Sequence, residues 1–317
     1  MTDQKPIAFP GPARLAPEQI GIGLRPPHHA DLLAVRPQIG WLEIHAETYM
    51  GGGAARWYLE QVRAQWPVAV QGTGLGLGGS ELPEPEHLER LARLVDWLDP
   101  ALVSEHLAWC GIDGRYYNDL LPIPYTAESL EHCCRNVDIV QTRLKRPLLM
   151  ANPATYLRFR ESQIAEAEFL SRLSTETGCG ILCDVNNLYV SSVNHVGRES
   201  ALAVAEAYLD SLPAPAVHEI RIGGHSESEA DGRLILVDDH AALVSEPVWR
   251  LYASAVQRFP HAATLLEWDN NLPPLSHLVA EAEHAARQRA AALRPSDLPG
   301  NGIMPDNITE GGDERAA

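Results

Sequence analysis

The sequence predicts an α/β fold, specifically a single (β/α)8 barrel. Eight short apolar runs recur along the chain, and amphipathic stretches with helical spacing lie between them. The length of 317 residues suits one barrel with short extensions. Apolar residues make up 45% of the chain and charged residues 21%, so the chain can bury a full core.

The eight apolar runs are the predicted strands. Each is short and mostly followed by polar or glycine residues, which is typical of parallel strands buried on both faces. In chain order they are Ile20–Leu24, Trp41–His45, Pro67–Gln71, Leu102–His106, Leu148–Ala151, Ile181–Asp184, Glu219–Ile222 and Thr264–Glu267. One more apolar run, Leu234–Val237, precedes the last of them.

Helical spacing of apolar residues supports the intervening helices. Leu88, Leu91, Val95 and Leu98 recur on one helix face, and residues 130–144 and 248–256 repeat the pattern. A doubly wound open sheet is the alternative fold, and it needs a glycine-rich phosphate turn after its first strand. The glycine-rich stretch here, residues 72–79, follows the third run and precedes two prolines. The barrel is therefore favoured.

The two ends of the chain have a different composition from the middle. Residues 1–19 contain four prolines and no periodic pattern, so we expect an N-terminal arm. Residues 20–292 are the predicted metal-binding barrel domain. Residues 293–317 are polar and rich in glycine and proline, and we expect a disordered tail.

Charge and cysteine content narrow the class of protein. The 42 acidic residues outnumber the 25 basic ones, which gives a formal charge of −17. Such a surface repels phosphate backbones and anionic lipids, so we expect no nucleic-acid or membrane partner. No apolar run is long enough for a span or a secretory signal, and the five cysteines show no disulfide pattern. These features predict a cytoplasmic protein.

Polar side chains follow six of the apolar runs, where the carboxyl ends of barrel strands carry the chemistry of such folds. Each alone fits a structural histidine or an Asx turn. Carboxylates and imidazoles that share one cavity would repel or stay unsatisfied without a cation, so together they favour a polynuclear metal centre over a purely structural network. A mixed oxygen and nitrogen set suits zinc, iron or manganese. The residues are His45 with Glu47, His106, Asp184 with Asn187, His225, Asp238 with His240, and Glu267 with Asp269.

Several segments together resemble the multinuclear non-haem iron-dependent oxidase family. They are Gly21-Ile-Gly-Leu-Arg25, Leu42-Glu-Ile-His-Ala-Glu47, Ser104-Glu-His-Leu-Ala-Trp109, Asp119-Leu-Leu-Pro-Ile-Pro-Tyr125, Asp184-Val-Asn-Asn-Leu-Tyr-Val190, Gly224-His225, Val237-Asp-Asp-His240 and Leu266-Glu-Trp-Asp269. The resemblance implies a xylose-isomerase-like barrel that binds iron and uses oxygen to remodel side chains of ribosomally synthesised peptides. It also implies a precursor peptide as substrate and a small peptide-recognition protein as a possible partner.

The family's metal ligands are carried over in part. The resemblance assigns metal binding to His106, Asp184, Asn187, His225, Asp238, His240 and Glu267. Two ligand positions of the family are lost, because Gln71 stands for a histidine and Ala151 for a glutamate. Their loss predicts that the ion shared with His106 is not bound. One remaining ion would use Asp184, His225 and Glu267, and another Asn187, Asp238 and His240.

Arg221 is a further departure, because it replaces the first histidine of the family's His-x-x-Gly-His motif. A planar guanidinium suits a carboxylate, so we expect Arg221 to contact the substrate. Glu47, Asn152 and Asp269 are the other expected substrate contacts.

Three functions remain open from the sequence. The first is a divergent oxidase that modifies a peptide with a reduced centre of one or two irons, which could be of mixed valence, or with zinc or manganese instead. The second is a non-catalytic relative that binds a peptide or partner protein. The third is a metal-dependent isomerase or hydrolase of the same barrel class.

Overall fold

The structure is a computed structural model, and it describes residues 15–230 and 232–294. Twelve strands occur in these ranges: β1 (Ile20–Gly23), β2 (Trp41–His45), β3 (Val68–Gln71), β4 (Val103–His106), β5 (Trp109–Ile112), β6 (Arg115–Leu121), β7 (Leu149–Ala151), β8 (Gly180–Asp184), β9 (Val217–Ile222), β10 (Ser226–Ala230), β11 (Arg233–Val237) and β12 (Ala263–Leu266).

Ten α-helices occur in the same ranges: α1 (His29–Val35), α2 (Ala46–Tyr49), α3 (Gly53–Arg63), α4 (Pro85–Leu98), α5 (Ala127–Leu144), α6 (Glu166–Thr177), α7 (Val185–Val196), α8 (Arg198–Ser211), α9 (Glu246–Arg258) and α10 (Leu275–Ala292). Short 3-10 turns lie at Pro26–His28 and Ala214–Ala216. Within the described ranges, no helix is both long and apolar enough to cross a membrane.

Eight of the strands form a closed parallel barrel in the order β1-β2-β3-β4-β7-β8-β9-β12, and β12 pairs with β1. All eight predicted runs contribute a barrel strand, so the predicted (β/α)8 fold is confirmed. The remaining strands form two antiparallel hairpins, β5–β6 and β10–β11. Leu234–Val237 belongs to the second hairpin and lies outside the barrel. The arm and the tail fall largely on residues 1–14 and 295–317, outside the described ranges.

Alternating side chains of each barrel strand separate two environments. Leu42 and Ile44 of β2 belong to the large apolar core that includes the helices, whereas Trp41 packs with Ala69, Ala263 and Leu265 in a second, small cluster of strand residues. Gly21 makes this packing possible, because a Cβ there would lie 2.3 Å from the Trp41 ring. The alternation puts Glu43 and His45 on the same face of β2 as Trp41.

Strand register aligns the polar residues at one end of the barrel. His45 lies beside Gln71, His106 beside Ala151, and Asp184 beside Arg221. Because all eight strands are parallel, these residues and Glu267 meet at the carboxyl end of the barrel.

Candidate metal centre

Asp184 ends β8 and uses its two carboxylate oxygens differently. Its Oδ1 accepts a hydrogen bond from the Asn187 backbone N–H at 2.9 Å and so caps α7. Its Oδ2 is buried without a hydrogen-bond partner. Burial raises the pKa of Asp184 to about 7, although the charge of His240 opposes this shift. An unpartnered buried carboxylate oxygen is a suitable ligand for a cation.

His240 faces Asp184 from the segment after β11 and has one ring nitrogen on each side. Its Nδ1 lies 3.3 Å from Asp269 Oδ2, and its Nε2 has no hydrogen-bond partner but lies 3.2 Å from Asp238 Oδ1. Burial disfavours the charged ring, but Asp238 and Glu267 outweigh it and raise the pKa of His240 well above its usual value. Gly223 leaves room for the ring, since a Cβ there would lie 2.4 Å from it.

The donor atoms fit one metal ion. Asp184, His240 and Glu267 each offer a ligand atom, and these atoms lie within 4.8 Å of one another. Asn187 adds a buried Oδ1 without a partner. The contact from His240 Nδ1 to Asp269 is the arrangement that holds a metal-binding imidazole in place. The predicted ligands Asp184, Asn187 and His240 could therefore surround one ion, with Glu267 next to them and Asp238 in contact with His240.

A second group, His45, Glu267 and Asp269, has metal-like spacing but already contacts a cation. Arg25 donates to Asp269 from Nε at 2.8 Å and from Nη2, and to Glu267 at 3.1 Å. Its Nη2 also lies 2.9 Å from His45 Nε2. The guanidinium lies among the atoms that an ion would use, so this group does not fit a metal.

Arg221 is placed differently from our expectation. It is fully buried, and its guanidinium contacts Glu43 at 2.6 Å, Glu219 at 3.2 Å and Glu267 at 3.0 Å. The side chain has no solvent exposure and is surrounded by three carboxylates, so it is not open to a substrate in this structure. The expected substrate contact by Arg221 therefore has no support from the geometry.

His106 contacts neither candidate group. Its Nε2 lies 2.7 Å from the Gln71 amide nitrogen, which donates to it, and Ala151 packs with Leu149 and Leu182. Burial and the charge of Arg221 lower the pKa of His106 to about 4, so the ring is neutral and can accept this bond. Glutamine and alanine occupy the two lost ligand positions. His106 therefore has a hydrogen bond to Gln71 in place of neighbouring metal ligands.

Three other expected residues have hydrogen-bond partners within the protein. His225 Nδ1 contacts Asn186 Oδ1 at 2.8 Å, so the expected trio of Asp184, His225 and Glu267 is not brought together. Asn152 is buried, and its side chain binds the backbone N–H and C=O of Asp184, so the contacts that it makes here are structural. Glu47 accepts hydrogen bonds from Thr73 N and His87.

Three residues near the centre were not assigned from the sequence: Arg25, Glu43 and Glu219. Glu43 had a signal, because it alternates with apolar residues in the second run, as the assigned His45 does. Arg25 and Glu219 gave none that separates them from ordinary flanking charges.

The fold and this centre define a parallel-barrel protein with a carboxylate and histidine site at the strand ends. Residues 19–290 match the model of a family described as RiPP precursor modification enzyme MbnB/TglH/ChrH, and the chain belongs to this family. A UPF0276 protein of Bordetella bronchiseptica is 45% identical over 284 residues, covering 89% of this chain and 96% of its own. A UPF0276 protein of Chromobacterium violaceum is 43% identical, covering 85% and 94%.

Solved structures confirm the barrel fold. Endonuclease IV from Thermus thermophilus matches with a TM-score of 0.57 and 17% identity, covering 86% of this chain and 99% of its own. An L-ribulose 3-epimerase matches with a TM-score of 0.56 and 13% identity, covering 89% and 99%. At these identities the likeness concerns the fold alone.

Proposed function

We propose that this protein modifies a ribosomally synthesised precursor peptide with one iron ion held by Asp184, Asn187, Asp238 and His240. The observation that carries the proposal is the set of buried donor atoms without partners: Asp184 Oδ2, Asn187 Oδ1 and His240 Nε2. Family membership supports a peptide as the substrate. Iron would supply one-electron chemistry with dioxygen as the oxidant, acting on a side chain such as that of cysteine.

Neighbouring side chains orient the proposed ligands through hydrogen bonds. Asp269 accepts from His240 Nδ1 and so aims Nε2 at the ion position. His240 must lose its Nε2 proton when an ion binds, so binding weakens as the pH falls. Asn186 donates to Asp238 Oδ1 at 2.8 Å and fixes this carboxylate at the edge of the centre.

A cavity beside the barrel mouth suits a side chain of the peptide. It has a volume of about 450 Å³ and is lined by Tyr125, Leu157, Arg158, Glu166, His195 and Tyr208, among others. Tyr156, from the same loop, accepts a hydrogen bond from the Asp238 backbone N–H at 2.9 Å. The loop that lines the cavity therefore contacts the segment that carries Asp238 and His240.

The test is a reaction of iron-loaded protein with peptides encoded beside its gene, followed by mass spectrometry. We expect an oxygen-dependent mass change that is absent in Asp184→Asn. Asparagine keeps an oxygen that can cap α7, but it removes the ligand charge, so metal affinity should fall by at least about 100-fold. The control is Asp210→Asn, because this exposed carboxylate of α8 pairs with Arg258 of α9, outside the centre.

A non-catalytic peptide-binding protein is the second candidate. The observation in its favour is that Arg25 pairs with Asp269 and Arg221 pairs with Glu267. These ion pairs neutralise both carboxylates without a metal ion. Peptide binding with no mass change in iron-loaded protein, with or without oxygen, would establish this alternative and refute the enzyme.

A further inference from the structure

The interior of the barrel contains an arginine surrounded by carboxylates. Arg221, Glu43 and Glu219 have no solvent exposure, and Glu267 has 3%. All three carboxylates lie within 3.2 Å of the Arg221 guanidinium. Buried carboxylates are costly unless a cation neutralises them, so this cluster depends on a positive charge at its centre.

We propose that Arg221 is a built-in cation that takes the place of a metal ion between Glu43, Glu219 and Glu267. The cluster is a latent divalent-cation site, and the arginine side chain fills it. Arg221 is thus a positioning residue that keeps the carboxylates in place when the exchangeable ion at Asp184 and His240 is absent. This inference concerns the barrel interior and does not require that the peptide be modified.

The unpartnered atoms of the cluster support a site with ligand capacity. Glu43 Oε2 and Glu219 Oε2 are both buried and have no hydrogen-bond partner. Arg221 contacts the other oxygen of each carboxylate. Removal of the guanidinium would leave these three buried carboxylates without the cation that they share, and a divalent cation bound by carboxylate oxygens could supply that charge.

Glu267 connects the cluster with the candidate metal centre. Its Oε2 accepts from Arg221 and its Oε1 accepts from Arg25, so both oxygens are held by guanidinium groups. The carboxylate therefore keeps its orientation beside His240 without a metal ion. The family resemblance places a histidine at position 221. A histidine there would lack the permanent charge of arginine and its planar guanidinium, which can donate to two carboxylates at once.

The experiment compares wild type, Arg221→Met and Arg289→Met as full-length proteins after chelator treatment. Arg289 is the matched control, because it is 3% exposed but binds neutral oxygens, such as Thr264 Oγ1 and Pro260 O, instead of carboxylates of the described part of the chain. The readouts are the thermal midpoint and the number of bound Zn²⁺ or Mn²⁺ ions, measured by elemental analysis.

We expect Arg221→Met to lose about 10 °C in thermal midpoint without metal, the consequence of breaking a buried ion cluster. Added Zn²⁺ or Mn²⁺ should restore most of this loss and raise the metal content by one ion per chain over wild type. Arg289→Met should also be less stable, but metal should raise its midpoint no more than that of wild type. Equal metal content in Arg221→Met and wild type would overturn the proposal.

A double variant keeps the test decisive if Arg221→Met does not fold. Arg221→Met with Glu219→Gln removes one of the uncompensated carboxylates, so it should be more stable than the single variant. A double variant that folds no better than Arg221→Met would show that charge compensation is not the role of Arg221, and would also overturn the proposal.

Discussion

Asp184 and Asn187 show how one turn of the chain can combine folding and ligand supply. The carboxylate caps α7 through one oxygen and leaves the other unpartnered, and the Asn187 side chain donates to Asn152 O while its own oxygen stays unpartnered. The same residues are needed for the helix start and for the proposed ion. Substitutions here therefore have to preserve the cap if they are to report on the metal.

A histidine far from the centre makes the fold sensitive to acid. Burial and the neighbouring His261 lower the pKa of His218 to about 4. The unfolded chain binds this proton near pH 6.5, so the contribution of neutral His218 to stability is fully present above 6.5 and is lost as the pH falls through 4.

The thermal midpoint of wild type should fall by a few degrees more than that of His218→Asn between pH 7 and 4.5. His277→Asn, at an exposed position of α10, is the control and should follow wild type. Parallel curves for wild type and His218→Asn would contradict this assignment.

At the scale of elements, the hairpin β10–β11 positions much of the candidate centre. Asp238 and His240 follow β11 directly, and Asn194 of α7 holds this strand. The Asn194 side chain donates to Leu236 O at 3.0 Å and accepts from Leu236 N at 2.8 Å, as a neighbouring strand would. The conformation of residues 238–240, which follow β11, therefore depends on a contact between a helix and a strand outside the barrel.

Asn194→Ala should loosen this loop without unfolding the barrel. We expect faster amide hydrogen exchange in β11 and metal affinity about tenfold weaker, the usual effect of losing a group that supports a ligand. Asn136→Ala is the matched control, because Asn136 also lies on a helix and binds backbone oxygens, those of Leu77, Gly79 and Glu81. It should lower stability and leave exchange in β11 unchanged. Unchanged exchange in Asn194→Ala would show that the hairpin is held by other contacts.

The barrel strands were predictable from the sequence, whereas the hairpins were not. The strands are buried on both faces and read as apolar runs, but β10, with the sequence Ser-Glu-Ser-Glu-Ala, lies at the surface and has no such pattern. Leu234–Val237 was apolar enough to be noticed, but its partner in the hairpin was not. Pairing with a polar edge strand leaves little trace in composition.

At the scale of the whole molecule, long-range contacts explain why the candidate centre was only partly predictable. Asp184, His240 and Glu267 follow apolar runs in the sequence, and the structure has them close together at one end of the barrel. The neutralising contacts join residues far apart in sequence, such as Arg25 with Asp269, 244 positions away. Strand-end patterns show which residues share a face, but they do not show which carboxylates an arginine engages.

The charge of the whole molecule predicts how stability responds to salt. A formal charge of −17 is self-repulsive, and raising NaCl from 10 to 150 mM shortens the screening length from about 30 Å to about 8 Å. Salt also weakens surface ion pairs such as Arg143 with Glu89, but such solvent-exposed pairs contribute little to stability. Repulsion should dominate, so the thermal midpoint should rise with salt.

Charge-reduced variants test this balance. Glu131 and Glu283 lie at exposed helix positions, and the change of either residue to lysine removes two units of negative charge. Carrying both, the protein should gain less from added NaCl than wild type does. The Arg221 cluster has almost no solvent exposure and is screened little, so it should contribute nearly the same stability at both salt concentrations. A midpoint that falls with salt in wild type would mean that surface pairs, rather than net repulsion, govern the electrostatic free energy of this barrel.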